Sequence, residues 1–176
     1  MKKIVIIGPE STGKSTICRQ LADHFQTLWC PEYAREYLLQ HGTQYTYAQL
    51  LEIAKGQIAK EEEYIRKAEA AGHSYLFIDT DLYVMKVWCE YVFNDCHAWI
   101  LNQIAKRHYD GYLLCKNDLP WTKDELREYP DEGPRQQLFH IYHDLLVQQH
   151  VPWKLVRGTQ EERLQTAVEG VLEFNV

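Results

Sequence analysis

Residues Gly8-Pro9-Glu10-Ser11-Thr12-Gly13-Lys14-Ser15 satisfy the pattern G-x-x-x-x-G-K-[ST] in full. The stretch follows a β-branched run, Ile4 to Ile7, and leads into a segment from Lys14 to Phe25 with apolar residues at helical spacing. In such a strand, loop and helix, backbone N–H groups surround phosphate oxygens and the helix N-terminus adds positive potential. The sequence therefore predicts a phosphate-binding loop within an α/β fold.

This loop predicts binding of a nucleoside triphosphate together with magnesium. Lys14 is expected to reach the β and γ oxygens, and the Ser15 hydroxyl is expected to bind Mg²⁺. Arg157, after the last predicted strand, is a further candidate at the edge of the adenine, with loop packing as the alternative. The other residues expected around the phosphates belong to the loop and the first helical turn: Gly8, Glu10, Ser11, Thr12, Gly13 and Thr16.

Five short apolar runs alternate with helical segments along the chain. After the first, the predicted strands are Leu28 to Cys30, Tyr75 to Ile78, Gly111 to Cys115 and Trp153 to Val156. The alternation predicts a doubly wound, five-stranded parallel sheet flanked by helices, with ligands beyond the carboxyl ends of the strands. Helices are expected over 14–25, from 33, and over 46–71, 82–93, 97–106, 136–149 and 161–174. With no linker or repeat in 176 residues, one domain over 1–176 is expected.

Polar side chains follow the predicted strands. Asp79 could hold magnesium or accept the proton of an attacking hydroxyl, and Asp81 could share this role. The alternative is that either aspartate only caps the next helix. Glu32 and Arg35 follow the second strand and could hold an acceptor, with an exposed ion pair of little consequence as the alternative.

The segment of about 117–135 is predicted to form a lid. It contains three prolines, Gly133 and many charges. Arg127 and Arg135 could close over developing negative charge, and Trp121 could stack on a ligand base. The alternative for both arginines is solvated charge on a loop.

Composition limits the partners and the location. The net charge of -6 and the pI near 5.7 argue against a nucleic-acid surface and favour a small ligand. Five cysteines without a CxxC pair suit reduced thiols in the cytoplasm. The N-terminal apolar run is too short for a signal peptide and no stretch could span a bilayer, so neither secretion nor a membrane is expected.

Four blocks together resemble the nicotinamide riboside kinases of the bacterial NadR type, over nearly the whole chain. Besides the phosphate loop, the blocks are Pro31-Glu32-Tyr33-Ala34-Arg35-Glu36-Tyr37, Ile78-Asp79-Thr80-Asp81 and Asp118-Leu119-Pro120-Trp121. The resemblance implies a P-loop kinase fold and ATP-dependent phosphorylation of nicotinamide riboside to nicotinamide mononucleotide.

The resemblance also assigns residues to roles. It implies that Glu32, Arg35, Asp79 and Asp118 lie at the riboside end of the site, with Trp121 near the aromatic base. It implies that Arg127 and Arg135 are lid arginines. Since the kinase-like sequence starts at residue 2, the nucleotidyltransferase and DNA-binding activities of multifunctional relatives are expected to be absent.

Two alternatives to this activity stay open at the level of sequence. The first is a P-loop kinase of another nucleoside or small metabolite. The second is a nucleotide-dependent switch or binding protein that turns over slowly. His140 and His143 are spaced like metal ligands, but no third ligand accompanies them, so structural histidines are expected.

Overall fold

Within residues 1–121 and 131–174, which the computed structural model describes, five parallel strands form one sheet in the order β2-β3-β1-β4-β5. The phosphate loop follows the central strand. The predicted fold class is confirmed. The strands are β1 (Lys2–Ile7), β2 (Leu28–Cys30), β3 (Tyr75–Asp79), β4 (Gly111–Cys115) and β5 (Trp153–Val156).

The residues of β1 explain why this strand is central. Ile4 and Ile6 point to one face of the sheet, and Val5 and Ile7 point to the other, so both faces are apolar and buried. β3 pairs with one edge of β1 and β4 pairs with the other. Each parallel crossover therefore brings the end of its strand to the same edge of the sheet.

Helices cover both faces of the sheet. Those in the described part of the chain are α1 (Lys14–His24), α2 (Tyr33–His41), α3 (Tyr47–Ala70), α4 (Leu82–Phe93), α5 (Ala98–Lys106), α6 (Glu132–Val147) and α7 (Gln160–Glu173). Side chains of α1 and α7 pack on one face, and those of α3, α4 and α6 pack on the other. A separate apolar cluster joins α2, α3, α4 and α5.

Local signals set the helix ends where the sequence predicts them. Thr46 forms a capping box with Gln49 at the start of α3, and Thr159 forms one with Glu162 at the start of α7. Asn94 ends α4 in the left-handed conformation, with φ of 55°.

Helix α6 begins at Glu132, four residues before the predicted start at 136. Pro134 does not prevent this, because backbone N–H groups in a first helical turn have no intrahelical acceptor. The predicted lid is therefore too long at its C-terminal end, since Arg135 lies on the helix. Residues 117–121 form an irregular segment, and residues 122–130 lie outside the described part.

No helix in the described part of the chain is both long enough and apolar enough to cross a membrane.

Candidate active site

A cavity of about 290 Å³ lies at the carboxyl ends of the central strands. The phosphate loop, residues 8–15, and Thr16 form one side of it. Glu32 and Arg35, at the start of α2, lie on its wall, as do side chains of α4 and α6. The structure thus brings the predicted phosphate site and two of the predicted acceptor residues into one cavity.

The phosphate loop has the backbone conformation expected of an anion site. Gly13 lies before α1 with φ of 78°, a left-handed conformation that favours glycine. The Thr12 hydroxyl donates to the Pro9 carbonyl at 2.8 Å, and the Lys14 ammonium donates to the same carbonyl at 2.9 Å. Lys14 is therefore held against the loop that it is predicted to serve.

Asp79 is buried at the end of β3 and interacts with Lys14 and Ser15 of the phosphate loop. Burial raises the pKa of its carboxyl group, while Lys14 and a hydrogen bond with the Ser15 side chain oppose that rise. Its Oδ1 atom has no hydrogen-bond partner within the described residues. A buried, unpartnered carboxylate oxygen is poised for a cation or a donor from a ligand.

The same observation tests whether magnesium fits. Mg²⁺ prefers oxygen ligands and is commonly bound by one or two protein oxygens together with substrate phosphates. The free Oδ1 atom of Asp79 and the neighbouring Ser15 hydroxyl supply oxygens of this kind. The residues present fit a magnesium ion.

Glu32 is an acidic group on the wall of the cavity. Burial raises the pKa of its carboxyl group to about 7, and the nearby Asp79 adds to the rise, whereas Lys14 and Arg35 oppose it. A carboxyl group with this pKa exchanges a proton readily near neutral pH. Asp79 and Glu32 thus have different environments, one against the loop lysine and one at the start of α2.

The side-chain amide of Gln57 links the turn after β2, where Glu32 lies, to the turn after β3, which follows Asp79. Gln57 of α3 is buried, accepts a hydrogen bond from the Tyr33 backbone N–H at 2.7 Å, and donates to the Thr80 carbonyl at 3.3 Å. Thr80 has φ of 68°, an uncommon conformation for a β-branched residue. At Gly56, a Cβ atom would lie 2.0 Å from the Tyr33 ring, so α3 approaches α2 closely.

Aromatic side chains form a wall of the cavity that the sequence analysis missed. Trp88 and Tyr91 of α4 and Tyr142 of α6 line it, and the Trp88 indole donates to the Tyr45 hydroxyl at 2.7 Å. The apolar residues of the wall are Ala34, Leu38, Val84 and Leu138. The available signal was the spacing of residues 84, 88 and 91, which places them on one face of α4.

Asp81 lies outside this cavity. Its Oδ1 atom accepts from the Tyr83 backbone N–H at 2.9 Å, which caps α4, and its Oδ2 atom accepts from the Tyr112 hydroxyl at 2.8 Å. Burial raises the pKa of this carboxyl group to about 7. It lines a separate cavity of about 60 Å³. This arrangement is the helix-capping alternative that the sequence left open.

Three other predicted residues lie around the phosphate loop and the end of β5. The Trp121 indole donates to Glu10 of the loop at 3.3 Å. Asp118 pairs with Arg163 of α7 and accepts from the Gly158 backbone N–H at 2.9 Å. Arg157 is exposed beyond β5. None of the three lines the cavity that holds Glu32, as far as the described residues define it.

The two predicted lid arginines differ in what the structure says of them. Arg135 is buried on α6, one turn before the cavity residue Leu138, and its Nε and Nη1 atoms have no hydrogen-bond partner within residues 1–121 and 131–174. A buried guanidinium with free donors is poised for an anionic ligand. Arg127 lies outside the described residues.

The arrangement suits the transfer of a phosphoryl group from a bound anion to a neighbouring polar group. One side of the cavity offers backbone N–H groups, a lysine and a helix N-terminus to phosphates. The other offers a carboxyl group able to exchange a proton and aromatic faces able to hold a ring. Groups of this kind suit the transfer of a phosphoryl group.

Comparison with known proteins agrees with this geometry. The AAA_28 family model, described as an AAA domain, matches residues 3–163. The trifunctional NAD biosynthesis/regulator protein NadR of Escherichia coli (strain K12) is 28% identical over 181 residues, which cover 99% of this chain and 43% of that protein. The chain thus spans less than half of this relative, and the resemblance seen in the sequence is confirmed.

Solved structures share the fold. A NadR protein in complex with NR superposes with a TM-score of 0.81 at 20% identity, and its complex with NAD and AMP-PNP superposes with 0.76 at 20% identity. Each covers 98% of this chain and 49% of the other. A thymidylate kinase from Ehrlichia chaffeensis gives 0.67 at 11% identity, covering 99% of this chain and 98% of the kinase. These likenesses support the P-loop kinase fold.

Proposed function

The chain belongs to the AAA_28 family of AAA domains, and we propose that it is a Mg-ATP-dependent kinase that phosphorylates the 5′-hydroxyl of nicotinamide riboside to give nicotinamide mononucleotide. One observation carries the proposal: the phosphate loop and the wall formed by Glu32, Trp88 and Tyr142 face the same cavity. A donor triphosphate and an acceptor nucleoside can therefore meet there. The relatives named NadR support the choice of acceptor.

In the proposed reaction the 5′ oxygen of the acceptor attacks the γ phosphorus of ATP. The bond from that phosphorus to the β-γ bridging oxygen breaks, and ADP leaves. The proton of the hydroxyl passes to a carboxylate, for which we propose Glu32, because its pKa of about 7 permits uptake and release near neutral pH. Geometry makes this choice possible, since Glu32 lies on the cavity wall.

The remaining charges serve the phosphates. Lys14 and the N-terminus of α1 attract the β and γ oxygens. Arg135, two of whose nitrogen atoms have no partner among the described residues, can donate to the negative charge that develops during transfer. Asp79 and Ser15 would hold Mg²⁺. The ion would neutralise phosphate charge as the bond to the leaving group breaks. Four assignments remain proposals: Arg127 as a lid arginine, Trp121 as a contact of the acceptor base, Asp118 as a contact of the riboside by resemblance, and Arg157 as a contact of the adenine.

The aromatic wall supports a cationic base in particular. The pyridinium ring of nicotinamide riboside carries a positive charge, whereas the bases of ordinary nucleosides are neutral. A cation against the faces of tryptophan and tyrosine gains about 0.5 to 2 kcal/mol. We propose that Trp88, Tyr91 and Tyr142 hold this ring, and that Arg35 binds polar groups of the riboside. We also propose that residues 1–176 act as one domain in the cytoplasm.

Measurement of ADP release with a set of acceptors tests the proposal. Purified protein receives Mg-ATP with nicotinamide riboside, with its reduced dihydro form, which has a similar outline but a neutral ring, or with common nucleosides. We expect turnover with nicotinamide riboside and about tenfold lower kcat/KM with the reduced form. Equal rates with neutral nucleosides would favour a kinase of another acceptor. ADP release at a rate that no acceptor changes would favour a nucleotide-dependent switch.

A further inference from the structure

Arg163 of α7 places a charged group at the base of the phosphate loop. The side chain is only 1% exposed, yet it belongs to a helix remote in sequence from the loop. Its Nη1 atom donates to the Thr12 carbonyl at 2.9 Å. Because Thr12 is itself buried within the loop, this bond joins α7 directly to the centre of the predicted phosphate site.

The same guanidinium reaches two further segments. Its Nη2 atom donates to the Lys116 carbonyl at 2.8 Å, just after β4, and its Nε atom donates to the Gly158 carbonyl at 2.9 Å, just after β5. One rigid planar group therefore fixes the phosphate loop, the end of β4 and the loop 157–159 relative to one another. A planar group with fixed donors suits this task better than a flexible ammonium.

Asp118 completes the arrangement. One carboxylate oxygen pairs with Nη2 of Arg163, and the other accepts from the Gly158 backbone N–H at 2.9 Å. The pair thus holds Gly158 through both its N–H and its carbonyl. Since a fully buried charge is stable only when it is paired and hydrogen-bonded, each partner depends on the other. The family resemblance places Asp118 at the riboside end, whereas its contacts in the structure are with α7 and with the loop after β5.

The position of these bonds bears on nucleotide binding. A phosphate loop binds anions when its N–H groups point inward, and its carbonyls must then be satisfied on the outer side. Arg163 supplies a charge-assisted donor to one of these carbonyls, that of Thr12. The loop 157–159, where Arg157 is the candidate neighbour of the adenine, is held by the same group.

We propose that Arg163, together with Asp118, is a positioning residue for ATP: the ion pair fixes the phosphate loop against the loop 157–159, so that both are preorganised for the nucleotide. This inference rests on the ATP binding of the proposed function. It does not depend on the identity of the acceptor. It goes beyond the proposed mechanism because neither residue needs to touch the reacting atoms.

The experiment compares Arg163→Met with Arg107→Met as a matched control. Arg107 also pairs with a fully buried carboxylate, Glu61, at 3.3 Å, but it lines only the smaller cavity and lies apart from the phosphate loop. Affinity for Mg-ATP is measured by titration calorimetry, and local order is measured by hydrogen exchange of the peptides that contain residues 8–16 and 157–159. Thermal unfolding of both variants measures how much stability is lost when a buried ion pair is broken.

We expect Arg163→Met to weaken ATP binding at least tenfold and to speed exchange in both peptides. Arg163→Lys should recover part of the affinity, and Arg107→Met should bind ATP within twofold of the wild type despite a similar fall in Tm. Affinity for nicotinamide riboside should change less than twofold in Arg163→Met. Asp118→Asn should weaken ATP binding as Arg163→Met does. In the double variant, the loss of binding free energy for ATP should be smaller than the sum of the two single losses.

The proposal is overturned if Arg163→Met is less stable but binds ATP like the wild type, with exchange of both peptides unchanged. Should Arg163→Met fail to fold, Arg163→Lys and Asp118→Asn carry the same comparison. A wild-type protein that does not bind ATP would contradict the proposed function instead. In that case the role in ATP binding falls with the proposed function, and hydrogen exchange decides only whether the ion pair orders the two loops: faster exchange confined to the two peptides supports this ordering, and unchanged exchange refutes it.

Discussion

Replacement of Glu32 by glutamine should stabilise the fold at pH 8 while removing phosphoryl transfer. The pKa of Glu32 is raised to about 7 from an ordinary value of 4.5, mainly by burial. A rise in pKa from 4.5 to 7 corresponds to about 3 kcal/mol of lost stability once the group is ionised. Because the side chain is partly exposed to screening solvent, we expect Glu32→Gln to raise the free energy of unfolding by about 1 to 2 kcal/mol. Glutamine has nearly the same shape and does not ionise, so it avoids this cost.

The sign of the effect depends on pH. Between pH 4.5 and 7 the folded protein binds more protons at Glu32 than the unfolded chain does, so this group lowers the stability of the wild type as pH rises. The advantage of Glu32→Gln should be small below pH 4.5 and should reach its full value above pH 7. For a chain of this size the gain corresponds to roughly 2 to 8 °C in Tm.

The assay combines thermal unfolding from pH 4.5 to 8.5 with initial rates of ADP release. Loss of a proton acceptor should lower kcat by about 10² to 10⁴, and the rise of wild-type kcat/KM through pH 7 should disappear. Glu36→Gln is the control, since Glu36 lies in the first turn of α2, the helix that begins directly after Glu32, but forms a surface ion pair with Lys60 at 2.6 Å. Normal turnover by Glu32→Gln would show that Glu32 is not the proton acceptor, and a stability advantage that does not vary with pH would show that its carboxyl group does not have a raised pKa.

Three further changes have distinct expected outcomes. Lys14→Ala should remove most phosphoryl transfer and leave Tm nearly unchanged, because a loop lysine contributes charge and little packing; unchanged turnover would show that the loop is not used. Trp88→Ala should weaken acceptor binding by about 1 to 3 kcal/mol without changing the affinity for ATP, measured by calorimetry, and Trp88→Phe should recover most of it. An equal loss for both ligands would instead indicate damage to the fold. Gly56→Ala should lower the free energy of unfolding by about 1 to 3 kcal/mol, because the new Cβ would lie 2.0 Å from the Tyr33 ring, although alanine normally stabilises a helix. Chemical denaturation measures this change, and a stabilised variant would contradict the close approach.

The fold was predictable because its signals are local. The β-branched run Ile4 to Ile7 predicts a strand that is covered on both faces. The capping residues Thr46 and Thr159 predict helix starts, and both helices begin there in the structure. The start of α6 was missed because Pro134 and the surrounding charges resemble a loop. Pro134 lies in the first helical turn, where proline is tolerated, and only the packing of the helix distinguishes this from a loop.

The candidate site was predictable only where neighbours in sequence are neighbours in space. The phosphate loop is contiguous and carries its own motif, so all of its residues could be named in advance. The aromatic wall could not, because Trp88 and Tyr142 belong to different helices and look like ordinary core residues. Asp118 was assigned to the acceptor side by resemblance, and its contact with Arg163, 45 residues away in the sequence, could be found only in the structure.

Mass spectrometry of the products formed from Mg-ATP and nicotinamide riboside tests the proposed kinase activity most directly. We expect nicotinamide mononucleotide and ADP in equal amounts, with formation lost in Lys14→Ala. ADP formed without any mononucleotide, or no reaction by a protein that binds ATP, would contradict the proposal.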